Sequence, residues 1–206
     1  MDYAHHFIPA PQNPPARVLL LLHGTGGNEN DMIPLGRDLD PAAALLSLRG
    51  NVLENGMPRF FRRLAEGVFD EEDVVRRANE LAEFLREAAA KYEFSPETLT
   101  AVGYSNGANI AAAVFLLRPG TLRSAALFRA MVPLTPPTQP SPSASRILIC
   151  SGTRDAIIPV ENAEHLAAML KEAGADVTHR FEEAGHQLVF DEIAFAKNWL
   201  RESSRG

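Results

Sequence analysis

The chain has 206 residues, 46% of them hydrophobic, and this length and composition suit a single globular domain over residues 1–206. Its formal net charge is -6 and its basic residues are scattered among acidic ones, which excludes a nucleic-acid-binding surface. The single cysteine, Cys150, stands in an apolar run and is predicted to be a buried strand thiol rather than a nucleophile or a metal ligand.

The N-terminal segment, residues 1–16, has neither the basic nor the apolar region of a secretory signal. The N-terminal segment is considered as a possible edge strand of the sheet. The longest apolar run of the chain, residues 110–117, is far too short to span a bilayer. We therefore expect a cytoplasmic protein without integral membrane association.

Short apolar runs alternate with segments of helical periodicity along the chain. Six runs are predicted to be strands, most of them apolar on both faces: residues 17–22, 43–48, 99–104, 122–128, 146–152 and 177–183. Helices are predicted after residue 104 and over residues 70–92, 161–174 and 191–202. The apolar face of the helix at 70–92 comprises Val74, Ala78, Leu81, Leu85 and Ala88. This alternation predicts a mostly parallel sheet with helices on both faces and functional residues at the carboxyl ends of its strands.

Two segments interrupt the alternation. Residues 49–69 show no clear helical period and exceed the usual length of a connection, so they are predicted to form a functional loop with Phe60 and Phe61 exposed. Residues 132–145 carry five prolines and stand where a crossover helix would otherwise be.

The sequence GYSNG places a serine between two glycines at the junction of the strand 99–104 and the helix that follows. In the pattern G-x-S-x-G the serine takes a strained backbone that lifts its hydroxyl from the sheet, and Gly103 and Gly107 allow close packing around it. A glycine-rich helix start capped by Ser105 is the alternative interpretation of this junction.

Two further residues follow strands in the order that this chemistry requires. Asp155 comes just after the strand 146–152, and His186 comes just after the strand 177–183. Either residue alone is weak support, because such positions also suit turns and helix starts. Together they predict that His186 takes the proton of Ser105 while Asp155 holds the imidazole and stabilises its cationic form.

A glycine-rich turn, HGTGGNENDM, directly follows the first long strand. It can aim backbone N–H groups at the oxyanion of a tetrahedral intermediate, and we assign the N–H groups of Thr25 and Asn106 to that role. A phosphate-binding loop is the less favoured alternative for these glycines, because the motifs G-x-x-x-x-G-K-S/T and G-x-G-x-x-G are missing. His23 is predicted to orient the turn rather than to react. No metal site is predicted, and structural or solvent-exposed roles are expected for the remaining histidines, His5, His6, His165 and His179.

Four motifs over nearly the whole chain resemble the small phospholipase/carboxylesterase family of α/β-hydrolases: HGTGGNENDM, GYSNGANIA, GTRDAIIP and EEAGHQL. The resemblance implies the α/β-hydrolase fold with a minimal sheet, the triad Ser105, Asp155 and His186, no cofactor or metal, and frequent homodimers. It also implies activity on short-chain carboxylic esters, with some members acting on thioesters or lysolipids. Residues 51–74 are most similar to the subgroup of hydroquinone-linked or stress-induced hydrolases. Acyl-protein thioesterases usually carry Gln where this chain has Asn106.

No segment is long enough for a lid domain, so the pocket walls are expected from residues 49–69, residues 131–137 and the position after the histidine motif. A short acyl or aryl group is expected to contact Met57, Phe60, Phe61, Leu134 and Leu188, with ordinary packing as the alternative for each. Arg62 and Arg63 either favour esters that carry a carboxylate or pair with Glu66 and Asp70.

The leading prediction is a serine carboxylesterase that hydrolyses a small-molecule ester through an acyl-enzyme. Acyl thioesterase and lysophospholipase activities of the same fold are the nearest alternatives. A serine peptidase would need an acidic pocket for the substrate's amino terminus, whereas the loop nearest the site carries Arg59, Arg62 and Arg63. A non-catalytic binding protein is the least favoured reading, because no triad member is missing.

Overall fold

A seven-stranded sheet forms the centre of the chain in the computed structural model, which describes residues 3–136 and 144–202. The regular elements in chain order are β1 (His5–Ile8), β2 (Val18–Leu22), α1 (Ile33–Leu39), β3 (Ala44–Leu48), β4 (Val52–Glu54), β5 (Met57–Arg59), β6 (Arg63–Ala65), β7 (Val68–Phe69), α2 (Glu71–Lys91), a 3₁₀ turn (Pro96–Thr98), β8 (Leu99–Tyr104), α3 (Asn106–Leu117), β9 (Ser124–Phe128), β10 (Arg146–Gly152), α4 (Val160–Glu172), β11 (Asp176–Glu182) and α5 (Phe190–Glu202).

The strand order across the sheet is β1-β3-β2-β8-β9-β10-β11. All neighbours are parallel except β1, which pairs antiparallel with β3 at one edge. All six strands predicted from apolar runs are present, with ends within two residues of the predicted bounds. The parallel arrangement brings the carboxyl ends of β2, β8, β10 and β11 to the same edge of the sheet.

The sheet is covered on both faces, and β2 shows how the sequence produces this. Its five residues are completely buried, and alternate side chains point to opposite faces. Leu20 and Leu22 join the core beneath α2, α3 and α4. Leu19 and Leu21 join the core beneath α1 and α5. A run of leucines without polar alternation is therefore what a strand between two helical layers requires.

Helix α2 begins and ends within one residue of the predicted bounds. Asp70 caps its first turn by accepting a hydrogen bond from the N–H of Asp73. The five residues of the predicted apolar face are all buried in the core beneath the helix. Helical periodicity alone was enough to predict the position and the buried face of this helix, because a long surface helix buries one continuous stripe of side chains.

The prediction of one irregular loop over residues 49–69 with exposed aromatic side chains is wrong. The segment forms two short antiparallel hairpins, β4–β5 and β6–β7. Phe60 and Phe61, which connect them, are completely buried. The N–H of Phe60 donates to Oδ1 of Asn106 at 2.7 Å, and its ring packs against His23. These contacts hold Phe60 against the sheet, Phe61 packs against Phe69, and both phenylalanines are core residues.

Other sequence predictions have simpler outcomes. Cys150 is buried as predicted, and burial raises the pKa of its thiol. Helix α1 was missed, because seven residues that include Pro34 and Gly36 show no helical period. Of the proline-rich segment, residues 137–143 lie outside the described residues. No helix in the described ranges combines the length and hydrophobicity needed to cross a membrane.

Candidate active site

The turn between β8 and α3 holds Ser105 in a backbone conformation that side chains rarely adopt, with φ 51° and ψ -115°. Such a conformation costs on the order of 1–3 kcal/mol and persists only where the surroundings enforce it. A Cβ on Gly103 would lie 2.7 Å from Ala108 of α3, and a Cβ on Gly107 would lie 2.1 Å from the carbonyl oxygen of Leu22. Both glycines are thus required by close backbone approach, as the motif predicted.

Ser105, His186 and Asp155 form a connected chain of hydrogen bonds above the sheet. Oγ of Ser105 lies 3.0 Å from Nε2 of His186, and Nδ1 of His186 lies 2.8 Å from Oδ2 of Asp155. An ionised carboxylate accepts but cannot donate, so Nδ1 carries the proton and Nε2 is free to accept from the serine hydroxyl. The three residues predicted from separate motifs are therefore brought into the geometry of a nucleophile, a base and an orienting carboxylate.

The carboxylate of Asp155 is itself held in place. Its side chain is almost fully buried, and Oδ1 accepts hydrogen bonds from the N–H groups of Ile157 at 2.8 Å and Ile158 at 3.1 Å. The imidazole of His186 stays partly exposed to the cleft, with 22% of its side chain accessible. The buried carboxylate thus orients the ring from behind, while the other ring nitrogen faces Ser105.

Arg129 fixes the loop that carries His186, and the sequence analysis missed it. Its Nε donates to the carbonyl oxygen of Gly185 at 2.9 Å, and its Nη2 donates to that of Gln187 at 2.6 Å. Nη1 and Nη2 also form a bidentate ion pair with Glu192 of α5, and both side chains are completely buried. The two carbonyls flank the histidine, so the arginine sets the position of His186. The one sequence feature that could have pointed to Arg129 is its position directly after an apolar strand.

Tyr104 supports the same loop from the other side. Its hydroxyl donates to the carbonyl oxygen of His186 at 3.0 Å, and its ring lies 5.5 Å from the imidazole. Burial raises the pKa of Tyr104, which keeps the phenol protonated as a donor. Because Tyr104 immediately precedes Ser105, this bond ties the position of His186 directly to the turn that carries Ser105.

Thr25 and Asn106, the candidate oxyanion donors, line the same cleft as Ser105 and His186. Asn106 is the first residue of α3, and the N–H groups of a helix's first turn have no acceptor within the helix. Within the described chain, the backbone N–H of Thr25 likewise donates to no other group. Both donors remain available for a substrate oxygen.

His23 has the structural role expected for it. Its Nδ1 donates to the carbonyl oxygen of Gly24 at 2.6 Å, and its Nε2 accepts from the N–H of Gly50 at 3.0 Å. Burial lowers the pKa of His23, which favours the neutral form that this pairing needs. The ring thereby joins the glycine-rich turn to the segment after β3.

The candidate cleft has a volume of about 230 Å³ and opens beside Ser105. Its walls come from the two hairpins, from Met131 and from the loop after β10, which contributes Ile157 and Ile158. Two of the three predicted wall segments are therefore present. The exact residues differ, since the cleft is lined by Thr25, Arg59, Arg63, Glu66, Gly67, Phe69, Tyr104, Ser105, Asn106, Asn109, Met131, Ile157, Ile158 and His186.

The specific contact residues predicted for the substrate do not line this cleft. Phe60, Phe61 and Leu134 are buried in the core beneath it. Leu188 packs into the core on the opposite face of the sheet, and Met57 is exposed and lies against Gly26 of the glycine-rich turn. The sequence alone could not separate apolar residues that face a cleft from those that face the core.

Two asparagines on the first turn of α3 hold the walls of the cleft, a role not recognised in the sequence. Oδ1 of Asn106 accepts from the N–H of Phe60, and Oδ1 of Asn109 accepts from the N–H of Met131 at 2.9 Å. Both asparagine side chains are buried, so these bonds replace water for otherwise unpaired backbone donors. The helix that begins at the serine thus also positions both sides of the cleft.

Arg62 and Arg63 are separated by the structure. Arg62 lies outside the cleft and forms an ion pair with Asp70 at 2.6 Å, as one of the two alternatives predicted. Arg63 lines the cleft and pairs with Glu54 rather than with Glu66. Nowhere in residues 3–136 and 144–202 do three His, Cys, Asp or Glu side chains converge as metal ligands would.

Known proteins match the chain over most of its length. The phospholipase/carboxylesterase family model matches residues 3–204. The hydrolase MhqD of Bacillus subtilis is 47% identical over 186 residues, which span 90% of this chain and 93% of that protein. The Bacillus cereus carboxylesterase structure matches with a TM-score of 0.94 and 48% identity, covering 98% of this chain and 94% of that one. The esterase YpfH of Escherichia coli is 24% identical over 98% of this chain and 89% of its own length.

Proposed function

Because the chain belongs to the phospholipase/carboxylesterase family and is a carboxylic ester hydrolase, we propose that it works as a serine esterase through an acyl-enzyme intermediate. The resemblance and the α/β-hydrolase fold predicted from the sequence are confirmed. The catalytic roles of Ser105, His186 and Asp155 are part of the proposal. A homodimer and a small-molecule ester as substrate, which the family resemblance supports, complete the proposal together with a cytoplasmic location.

The proposed reaction begins when Nε2 of His186 takes the proton of Ser105 as Oγ bonds to the ester carbonyl carbon. The N–H groups of Thr25 and Asn106 stabilise the oxyanion that forms. As the tetrahedral intermediate collapses, the imidazolium returns its proton to the leaving alcohol, and the acyl group remains on the serine. Water then repeats the attack with His186 again as base, which releases the acid and restores the hydroxyl. Asp155 stabilises the imidazolium in both steps.

One observation carries this proposal: the hydrogen-bonded series from Ser105 through His186 to Asp155, with distances of 3.0 and 2.8 Å. A second serine–histidine pair shows why all three members matter. Oγ of Ser151 also lies 3.0 Å from Nε2 of His179, but neither residue lines the cleft, and in the part of the chain described here no carboxylate pairs with that histidine. Burial lowers the pKa of His179 to about 4.

We expect a fluorophosphonate probe to label the intact protein at Ser105 and at no other serine. The phosphonylation needs an activated hydroxyl beside oxyanion donors, and only a nucleophile with a positioned base supplies one. Peptide mapping by mass spectrometry of the labelled protein checks the site. Labelling at Ser151, or no labelling of folded protein, would overturn the assignment of the nucleophile.

We expect kcat/KM to be highest for acetate to hexanoate esters and to fall beyond about eight carbons. A cleft of about 230 Å³ encloses a short acyl group, and added methylenes extend into solvent, where they gain no apolar contact. A series of p-nitrophenyl esters from acetate to palmitate measures this dependence. Efficiency that rises steadily to palmitate, or that is greatest on thioesters or lysophospholipid micelles, would favour the alternative activities of the fold.

A further inference from the structure

Two guanidinium groups form one wall of the candidate cleft. Arg59 at the end of β5 and Arg63 at the start of β6 both line it, and Arg59 is hydrogen-bonded to Thr25. Arg59 is 3% exposed overall, whereas 29% of the side chain of Arg63 is accessible. A cation this deeply buried beside a reactive serine requires an explanation, because arginine is rarely buried without full pairing.

The hydrogen bonds of Arg59 leave one end of its guanidinium open. Nε donates to the carbonyl oxygen of Phe61 at 3.2 Å, and Nη1 donates to Oγ1 of Thr25 at 2.7 Å. Nη2 has no hydrogen-bond partner among the described residues. It is also not fully buried, unlike the polar atoms elsewhere in the chain that lack a partner. Because Arg59 lines the cleft and this nitrogen is not sealed from solvent, its two N–H groups can donate to a molecule bound there.

The charges around the pair leave one positive charge without a close partner. Glu54 serves both arginines, with Oε1 at 2.7 Å from Nε of Arg63 and Oε2 at 3.3 Å from Nε of Arg59. Glu66 is exposed at the rim and forms no ion pair with any described residue. Burial lowers the pKa of Arg59 despite the nearby carboxylate of Glu54. Among residues 3–136 and 144–202, no second anion lies next to the buried guanidinium.

Building on the esterase function proposed above, we propose that Arg59 and Arg63 bind a free carboxylate of the substrate, so that the preferred substrates are short esters bearing a second, ionised carboxyl group. A carboxylate accepts charge-assisted hydrogen bonds through both of its oxygens, and Nη2 of Arg59 together with the guanidinium of Arg63 can donate to them from two sides. Because Arg59 is anchored to Thr25, the carboxylate binds on the oxyanion side of the cleft.

The carboxylate can belong to either half of the ester, and two pairs of substrates separate these cases. On the acyl side, 4-nitrophenyl hemisuccinate is compared with 4-nitrophenyl levulinate, in which a methyl ketone replaces the carboxylate. On the alcohol side, 4-acetoxybenzoate is compared with 4-acetoxybenzamide. The charged-to-neutral ratio of kcat/KM is compared between enzyme variants, which cancels the intrinsic reactivity of each ester.

For at least one pair, we expect Arg63→Gln to lower the charged-to-neutral ratio about threefold and Arg59→Gln to lower it roughly tenfold. Arg62→Gln is the matched control, because Arg62 lies in the same segment with the same chemistry but outside the cleft. Its ratio should equal that of the unmodified enzyme. Since Arg59 is buried and its replacement can impair folding, the more exposed Arg63 keeps the test decisive.

Ratios unchanged by Arg63→Gln and by any folded Arg59→Gln protein, in both substrate pairs, would overturn the carboxylate site. An equal loss on charged and neutral esters would do the same, because it would assign the arginines to supporting Thr25. Failure of the esterase function looks different: the unmodified protein would hydrolyse neither member of either pair, and the fluorophosphonate probe would not label Ser105.

Discussion

Ser105→Ala is expected to lower kcat for p-nitrophenyl acetate by roughly 10³-fold or more while the fold stays intact. The substitution removes the only oxygen that lies within hydrogen-bond distance of Nε2 of His186 among the described residues, and with it the acyl-enzyme route. Alanine lacks the hydroxyl but keeps the Cβ of serine, so the packing of the turn between β8 and α3 changes little. Steady-state kinetics together with circular dichroism of the purified variant measure both parts of this expectation.

Ser151→Ala is the matched control for this experiment. Ser151 has the same 3.0 Å contact with a histidine nitrogen, yet it is buried at the end of β10 and does not line the cleft. We expect this variant to retain nearly all of its activity. Near-native turnover by well-folded Ser105→Ala would show that Ser105 is not the nucleophile. A comparable loss in folded Ser151→Ala would remove the difference between the two serines on which the assignment rests.

Glu192→Gln is expected to destabilise the protein by about 3–5 kcal/mol, the usual cost of leaving one member of a buried ion pair unpaired. The carboxylate of Glu192 binds the guanidinium of Arg129 through both oxygens, and neither side chain is exposed. The same arginine holds the carbonyls of Gly185 and Gln187, so we also expect lower kcat in the folded variant. Urea unfolding and esterase kinetics below the transition measure the two effects.

Lys197→Gln provides the comparison on the same helix. Its ion pair with Asp38 is at the surface, and removal should cost no more than about 1 kcal/mol. If Glu192→Gln unfolds at the same urea concentration as Lys197→Gln, the buried pair does not stabilise the fold. If Glu192→Gln is destabilised but its kcat is unchanged, the pair supports the fold and does not position His186.

The sequence was most informative where chemistry demands particular residues at fixed positions. The turn that carries Ser105 needs glycines at 103 and 107, because a Cβ at either site would clash with neighbouring backbone atoms. A base and its carboxylate must follow parallel strands to reach the same edge of the sheet, which made Asp155 and His186 recognisable. Proposals for these residues therefore follow from local pattern and strand order, and the structure adds their distances.

The walls of the cleft were less predictable, because they depend on which way a short segment folds. Residues 49–69 have neither helical nor strand periodicity over a useful length, since each of their strands spans only two or three residues. Aromatic residues in such a segment are compatible with a cleft or with a core. The hydrogen bond from the N–H of Phe60 to Asn106 decides between them, and it joins residues 46 positions apart.

The sequence by itself determined the fold, the family and the three residues proposed to react, because buried parallel strands, strand-end motifs and the glycine-bounded serine are local patterns with few alternatives. Only the tertiary structure decided which side chains face the cleft. It buried Phe60 and Phe61, brought Arg59 and Arg63 to the wall, and placed Arg129 around the loop of His186. These outcomes depend on contacts between distant segments, whose orientation is set by packing and hydrogen bonding that no local pattern records.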